Sequence, residues 1–136
     1  MRRRQFVSVG CCFVCGVSAG CLDEHDPEPV PEIVSLEIRN DRWEESHEFM
    51  VHIEDKDGIV FEETYHLEAA GSGESAVALE GPVEPGAYTV RIEADEYSAT
   101  VDTQDRITDD QTCIRLQFYL GPETLHSEYH LYDRCE

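Results

Sequence analysis

The sequence predicts an all-β protein whose folded part is a single antiparallel β-sandwich of about eight short strands. From Ile33 onward, apolar and polar residues alternate with a period of two, which is typical of strands that bury one face. Turn-forming residues interrupt this alternation about every 8–12 residues, which is the spacing found in sandwiches. No segment has the apolar stripe of an amphipathic helix.

The alternating segments follow one another along the chain, and each has one apolar and one polar face. Their apolar positions are Val34, Leu36 and Ile38; Phe49, Val51 and Ile53; Ile59, Phe61, Tyr65 and Leu67; Val77 and Leu79; Tyr88, Val90 and Ile92; Tyr97, Ala99 and Val101; Ile114, Leu116, Phe118 and Leu120; and Tyr129 and Leu131.

Turn-forming residues separate these segments. Asp55-Lys56-Asp57-Gly58 predicts a hairpin turn in which the glycine takes a positive φ. Gly71-Ser72-Gly73 and Gly81-Pro82 interrupt the middle of the chain, and Gly121-Pro122 predicts the turn of the last hairpin.

The run Val83-Glu84-Pro85-Gly86-Ala87-Tyr88-Thr89-Val90-Arg91-Ile92 resembles the strand entry of immunoglobulin-like and carboxypeptidase-regulatory-like sandwiches. The resemblance implies an immunoglobulin-like β-sandwich over residues 33–136. It implies little about function, because such sandwiches have many unrelated roles. The Cys…Trp…Cys order of antibody domains is absent, since Trp43 precedes both cysteines of this region.

Residues 1–21 have the three parts of an export signal. Basic residues open the chain, an apolar stretch spans residues 7–17, and small residues precede Cys21. Arg3 and Arg4 followed by Phe6 resemble a twin-arginine export signal. The ending Ser18-Ala19-Gly20-Cys21 resembles a lipobox, although Ser18 stands where leucine is usual. The resemblance implies acylation of Cys21. The alternative is an uncleaved anchor or a buried segment, but the apolar stretch is short of the roughly 20 residues that span a bilayer.

Residues 22–32 are rich in proline and carboxylates, which predicts an extended tether between Cys21 and the domain. From Cys21 onward the chain has 30 acidic and seven basic residues, a net charge of −23, and its only lysine is Lys56. This composition resembles that of proteins from extreme halophiles, whose carboxylate-covered surfaces stay hydrated in molar salt. Disorder is the alternative interpretation of such a charge, but the regular alternation favours folding. The charge also makes nucleic acid a poor partner.

Cys113 and Cys135 are the two cysteines of the predicted domain, and an even pair in an exported domain predicts a disulfide. The bridge would join the two strands of the last hairpin near their open end. It would stabilise the fold by roughly 3 kcal/mol in the chain-entropy model.

His126, Glu128 and His130 are the candidate metal ligands, because alternate residues of a strand share one face. Two imidazoles and a carboxylate can bind zinc or a similar metal. However, positions i and i+4 of a strand are about 13 Å apart, so a solvated polar face is the alternative. His52 and His66 lie on polar faces of a predicted hairpin and could form a second site.

The sequence contains no nucleophile elbow, zinc-protease motif or phosphate-binding loop, so we expect no enzymatic activity and no cofactor. The predicted function is that of an exported, lipid-anchored binding or accessory domain on the outer face of the cell membrane. Its expected partners are the membrane, through the anchor, and an envelope protein or a small solute. The alternatives are a metal-binding envelope protein that uses His126, Glu128 and His130, and a secreted form without the anchor. The oligomeric state is left open.

Overall fold

A computed structural model describes residues 28–136. The predicted export signal, with Arg3, Arg4, Phe6 and the acylation site Cys21, lies outside the described residues, as do positions 22–27 of the predicted tether. The described chain forms eight strands, confirming the predicted number. They are β1 (Glu32–Asn40), β2 (His47–Asp55), β3 (Gly58–Leu67), β4 (Ala76–Glu80), β5 (Thr89–Ala94), β6 (Tyr97–Asp102), β7 (Cys113–Leu120) and β8 (Leu125–Tyr132).

The strands form two four-stranded sheets that pack face to face, which confirms the all-β sandwich. One sheet has the order β4-β1-β7-β8 and the other the order β3-β2-β5-β6. Within residues 28–136, no helix has the length and hydropathy needed to cross a membrane.

One strand pair differs from the predicted antiparallel arrangement: β1 and β7 run parallel. Strand direction was not predictable from the alternation, because a strand with one buried face alternates in the same way beside either kind of neighbour. Since β1 and β7 are far apart in sequence, no short hairpin forces them to be antiparallel.

The inward-facing apolar residues of both sheets form one core. Its largest side chains, Phe49 and Phe118, come from opposite sheets and are fully buried. Leu36 and Ile38 of β1 and Leu116 of β7 are also buried almost completely. The period-two pattern therefore identified most of the core correctly.

Two β-bulges shift residues away from their predicted faces. The pairing of β1 with β7 shifts between Ile33 and Ser35, so Ile33 lies in the core and Val34 is only partly buried. The pairing of β2 with β3 shifts between Ile53 and Glu54, and Ile59, predicted to face the core, is 51% exposed. An extra residue in one strand of a pair reverses the alternation beyond it, and a simple period of two does not predict this.

Tyr129 also differs from its predicted place in the apolar row of β8. It is 40% exposed, and the guanidinium of Arg106 lies over its ring, 5.3 Å from the centroid. β8 is an edge strand, so its side chains are covered from one side only.

The predicted disulfide between Cys113 and Cys135 is confirmed. Cys113 begins β7 and Cys135 follows β8, so the bridge closes the open end of this hairpin. Cys113 also pairs in register with Glu32, the first residue of β1. The bridge therefore fixes the C-terminal segment beside the point where the chain enters the sandwich.

The segment 83–92, whose sequence resembles an immunoglobulin-like strand entry, makes contacts that join the two sides of its loop. The Tyr88 hydroxyl donates to the carbonyl oxygen of Glu84 at 2.7 Å, similar to the tyrosine corner of such sandwiches. The Tyr88 backbone N–H donates to the hydroxyl of the buried Thr103 at 3.0 Å, and that hydroxyl donates back to the Tyr88 carbonyl. Desolvation by burial raises the pKa of the Tyr88 phenol above its ordinary value of 10.

The loops divide between two opposite ends of the sandwich. The entry end consists of residues 28–31, 56–57, 81–88, 103–112 and the C-terminal segment 133–136. The distal end consists of residues 41–46, 68–75, 95–96 and 121–124. The last residues of the predicted tether are held at the entry end, because Gln104 donates to the Pro29 carbonyl and Gly86 to the Pro31 carbonyl.

Candidate functional site at the distal end

Asn40 ties two of the distal loops together. It is the last residue of β1 and is fully buried. Its amide nitrogen lies 2.8 Å from the carbonyl oxygen of Glu45 and 3.1 Å from that of Glu68, while its amide oxygen accepts from the Arg42 backbone N–H at 3.0 Å. A buried amide with its bonds satisfied holds backbone segments in one arrangement, so the loops 41–46 and 68–75 have a fixed relative position.

Arg42 connects the same loop to the loop 121–124 and to the start of β6. Its Nε donates to the carbonyl of Gly121 at 2.9 Å, and its guanidinium lies over the ring of Tyr97, 5.2 Å from the centroid. The Ala70 N–H donates to the Arg42 carbonyl at 2.7 Å. The Nη2 atom of Arg42 is buried and has no hydrogen-bond partner among residues 28–136.

His47 links the loop 41–46 to the turn between β5 and β6. Its side chain is 7% exposed, its Nε2 lies 3.0 Å from a carboxylate oxygen of Glu45, and its Nδ1 lies 2.6 Å from one of Asp95. Asp95 has a φ of +56°, the left-handed conformation of a tight turn. The four distal loops are thus linked to one another by three polar side chains.

Trp43 lies on this linked platform and is 75% exposed. A Cβ added to Gly71, whose φ is +94°, would lie 2.6 Å from Cζ3 of Trp43. Only glycine therefore lets the indole lie so close to the loop 68–75. An exposed cavity of about 330 Å³ adjoins the ring and is lined by Asp41, Arg42, Trp43, Glu44, Glu45 and Pro122.

The distal end is strongly acidic. Its loops contain eight carboxylates and one cation, Arg42, and the carboxylates are Asp41, Glu44, Glu45, Glu68, Glu74, Asp95, Glu96 and Glu123. An exposed aromatic side chain surrounded by charged residues has the composition of a small interaction site. The arrangement is suited to binding, through the face of one indole ring and a rim of hydrogen-bond acceptors.

The sequence did not identify Trp43 as a site residue. The available signal was a large aromatic residue between charged ones in Asp41-Arg42-Trp43-Glu44-Glu45, outside any alternating segment. Tryptophan is enriched at protein interfaces, where one end of the side chain is apolar and the other is wet. The joining of four loops around this residue was not predictable, because it depends on Asn40, Arg42 and His47 reaching across the fold.

The predicted metal ligands His126, Glu128 and His130 lie on β8, on the exposed outer face of their sheet. The His126 ring stacks on Tyr119 with 4.9 Å between centroids, and Glu128 accepts from the Tyr119 hydroxyl at 3.0 Å. His130 pairs in register with Arg115, a cation. Within residues 28–136, no three His, Cys, Asp or Glu side chains are grouped to hold a metal ion. Metal binding by this row stays a prediction, and these contacts do not favour it.

The contact with Glu128 also affects the titration of Tyr119. The hydrogen bond to this carboxylate, with smaller contributions from desolvation and from the negative charge, raises the pKa of the Tyr119 phenol above its ordinary value of 10.

His52 and His66, the second candidate pair, do not come together. His52 pairs in register with Glu62, and His66 with Glu48, so the two imidazoles are four positions apart along β2, a separation of about 13 Å. The buried His52 lies between the carboxylates of Glu62, at 3.0 Å, and Glu93, at 3.5 Å.

No protein-family model and no curated protein sequence matches this chain. Among solved structures, it is similar to a protein from Bacteroides ovatus with a proposed role in cell adhesion, with a TM-score of 0.38 and 5% identity over 85% of this chain and 47% of that one. A structure described as a trapped toxin has a TM-score of 0.32 and 14% identity over 72% of this chain and 23% of that one. Wild-type pneumolysin has a TM-score of 0.27 and 12% identity over 74% and 23%, respectively. The chain spans about half the length of the first of these proteins and about a quarter of the other two, and scores this low do not assign it to a family.

Proposed function

We propose that this protein is an exported, lipid-anchored, non-catalytic binding domain whose distal end contacts an envelope protein or a small solute. The observation that carries the proposal is the position of Trp43. The chain enters the sandwich at one end, and this exposed indole lies among four linked loops at the other. A domain held at its entry end would present the distal end away from the membrane.

The anchor follows from the lipobox resemblance at Cys21. Pro29, whose carbonyl is held by Gln104, is the eighth residue after Cys21. An extended proline-containing segment of this length reaches about 25 Å, at about 3 Å per residue. Such a spacer would hold the sandwich clear of the lipid headgroups.

Two features support export. The Cys113–Cys135 bridge is of a kind that forms and persists in oxidising environments outside the cytosol. The twin-arginine resemblance at Arg3, Arg4 and Phe6 supplies an export route.

The charge of −23 from Cys21 onward is suited to a surface in concentrated salt, because ions screen the repulsion between carboxylates.

Site-specific photo-cross-linking in cells tests the proposed contact surface. We expect a photoreactive amino acid in place of Trp43 to form a discrete, reproducible adduct. The same group in place of Pro85, which is exposed at the entry end, is the matched control and should give none.

Equal adduct yields from the two positions would contradict a specific distal surface. The same conclusion would follow if position 43 gave no adduct in cells where the protein is fully exported.

A further inference from the structure

We infer that the distal end docks a basic polypeptide segment, one of whose Lys or Arg side chains stacks on Trp43 while neighbouring cations pair with the surrounding carboxylates. This inference rests on the proposed function, since it names the partner class of the same surface. Three observations support it: the exposed Trp43 ring, the negative charge of the distal loops, and the stacking of the chain's own arginines on tyrosine rings.

Four of the seven Lys and Arg residues within residues 28–136 lie over aromatic rings. Arg39, Arg42, Arg106 and Arg115 each lie over a tyrosine ring, at 5.2 to 5.5 Å from its centroid. Tryptophan is the best partner for such cation–π contacts. Yet in the part of the chain that the structure describes, no cation lies over Trp43, so its exposed face is open to a cation from another molecule.

The charge around Trp43 selects a cation as its ligand. Glu44, Glu74 and Glu123 of the distal loops form no ion pair within residues 28–136. Glu44 lines the cavity beside the indole. A polyanion would be repelled here. A neutral sugar could stack on the indole but would leave the excess negative charge uncompensated. Lys or Arg side chains would stack on the indole and also compensate the charge.

The size and rigidity of the site also fit a peptide side chain. A cavity of about 330 Å³ is at the low end of ligand pockets, which range over about 300–1,000 Å³. Because Asn40, Arg42 and His47 already fix the loops, little backbone freedom would be lost on binding.

Concentrated salt separates contact-range binding at the distal end from long-range attraction to the net charge. At about 1 M salt the Debye length is about 3 Å, so the net charge attracts little at a distance. Stacking on the indole and direct ion pairs act at contact range and are screened much less. Binding that persists in such salt and that Trp43→Ala weakens is therefore specific docking at the indole, and not general attraction to an acidic protein.

The test uses the full-length protein and a dye-labelled hexa-arginine peptide at about 1 M salt, with fluorescence anisotropy as the readout. We expect saturable binding that Trp43→Ala weakens at least tenfold and that Ile59→Ala, an exposed apolar control on β3, leaves unchanged. The pair Glu44→Gln and Glu123→Gln should weaken binding about fivefold. The matched pair Asp57→Asn and Glu84→Gln at the entry end should have no effect.

In the unlabelled wild type, Trp43 is the only tryptophan, so its emission reports directly on the site. Equal affinity of wild type and Trp43→Ala would overturn the inference. So would an emission change with a neutral hexasaccharide and none with hexa-arginine. Either result, together with a discrete adduct from position 43 in cells, would leave the proposed binding function standing with a different ligand.

Discussion

Transfer from molar salt to dilute buffer is expected to unfold the domain. From Cys21 onward, 30 carboxylates face seven cations, and four of those cations lie over tyrosine rings. Two like charges about 10 Å apart repel by about 0.4 kcal/mol in water. Many such pairs on one small surface add up to an energy comparable with the whole stability of a domain, about 5–15 kcal/mol.

Salt removes this repulsion by shortening the Debye length from about 10 Å at 0.1 M to about 3 Å at 1 M. Circular dichroism against salt concentration measures the effect, and a cooperative loss of β-structure is expected as salt is lowered. Sodium chloride and potassium chloride should act alike, because screening depends on ionic strength. A domain equally stable at low and high salt would contradict halophilic adaptation.

Asn40→Ala is expected to destabilise the domain by about 3 kcal/mol, because three partly buried backbone groups lose a hydrogen-bond partner at once. The affected groups are the carbonyls of Glu45 and Glu68 and the N–H of Arg42. Denaturant unfolding in molar salt measures the loss. The loop 41–46 should also loosen, which hydrogen exchange at the Ala70 N–H, bonded to the Arg42 carbonyl, would detect.

Asn40→Leu is the control that separates hydrogen bonding from packing. Leucine fills the volume of asparagine but makes none of its bonds, so it should be at least as destabilising as alanine. Recovery of wild-type stability in Asn40→Leu would show that the cavity, and not the lost hydrogen bonds, causes the effect.

The strands and their order along the chain could be predicted because each strand buries one face, which leaves a period of two in the sequence. The hairpin turn at residues 55–58 was predictable for a similar local reason. Asp55 accepts from the N–H groups of Asp57 and Gly58, and Gly58 has a φ of +135°. The disulfide was predictable from the number of cysteines and from the predicted export. Such features depend on residues that are close in sequence or on the number of cysteines.

Features that depend on the third dimension were not predictable. The bulge at Ile33 reverses a face, and the parallel pairing of β1 with β7 joins distant segments. His126 and Glu128 share a face as predicted, but their contacts with Tyr119 come from the neighbouring strand β7. The site around Trp43 was missed for the same reason, since four separate loops meet there.

The mass of the intact native protein, extracted from membranes in high salt, tests the account of an anchored domain most directly. An anchored domain is expected to begin at Cys21, to carry acyl groups and to have Cys113 and Cys135 oxidised. A chain that retains residues 1–20, or an unacylated chain recovered from the soluble medium, would contradict it.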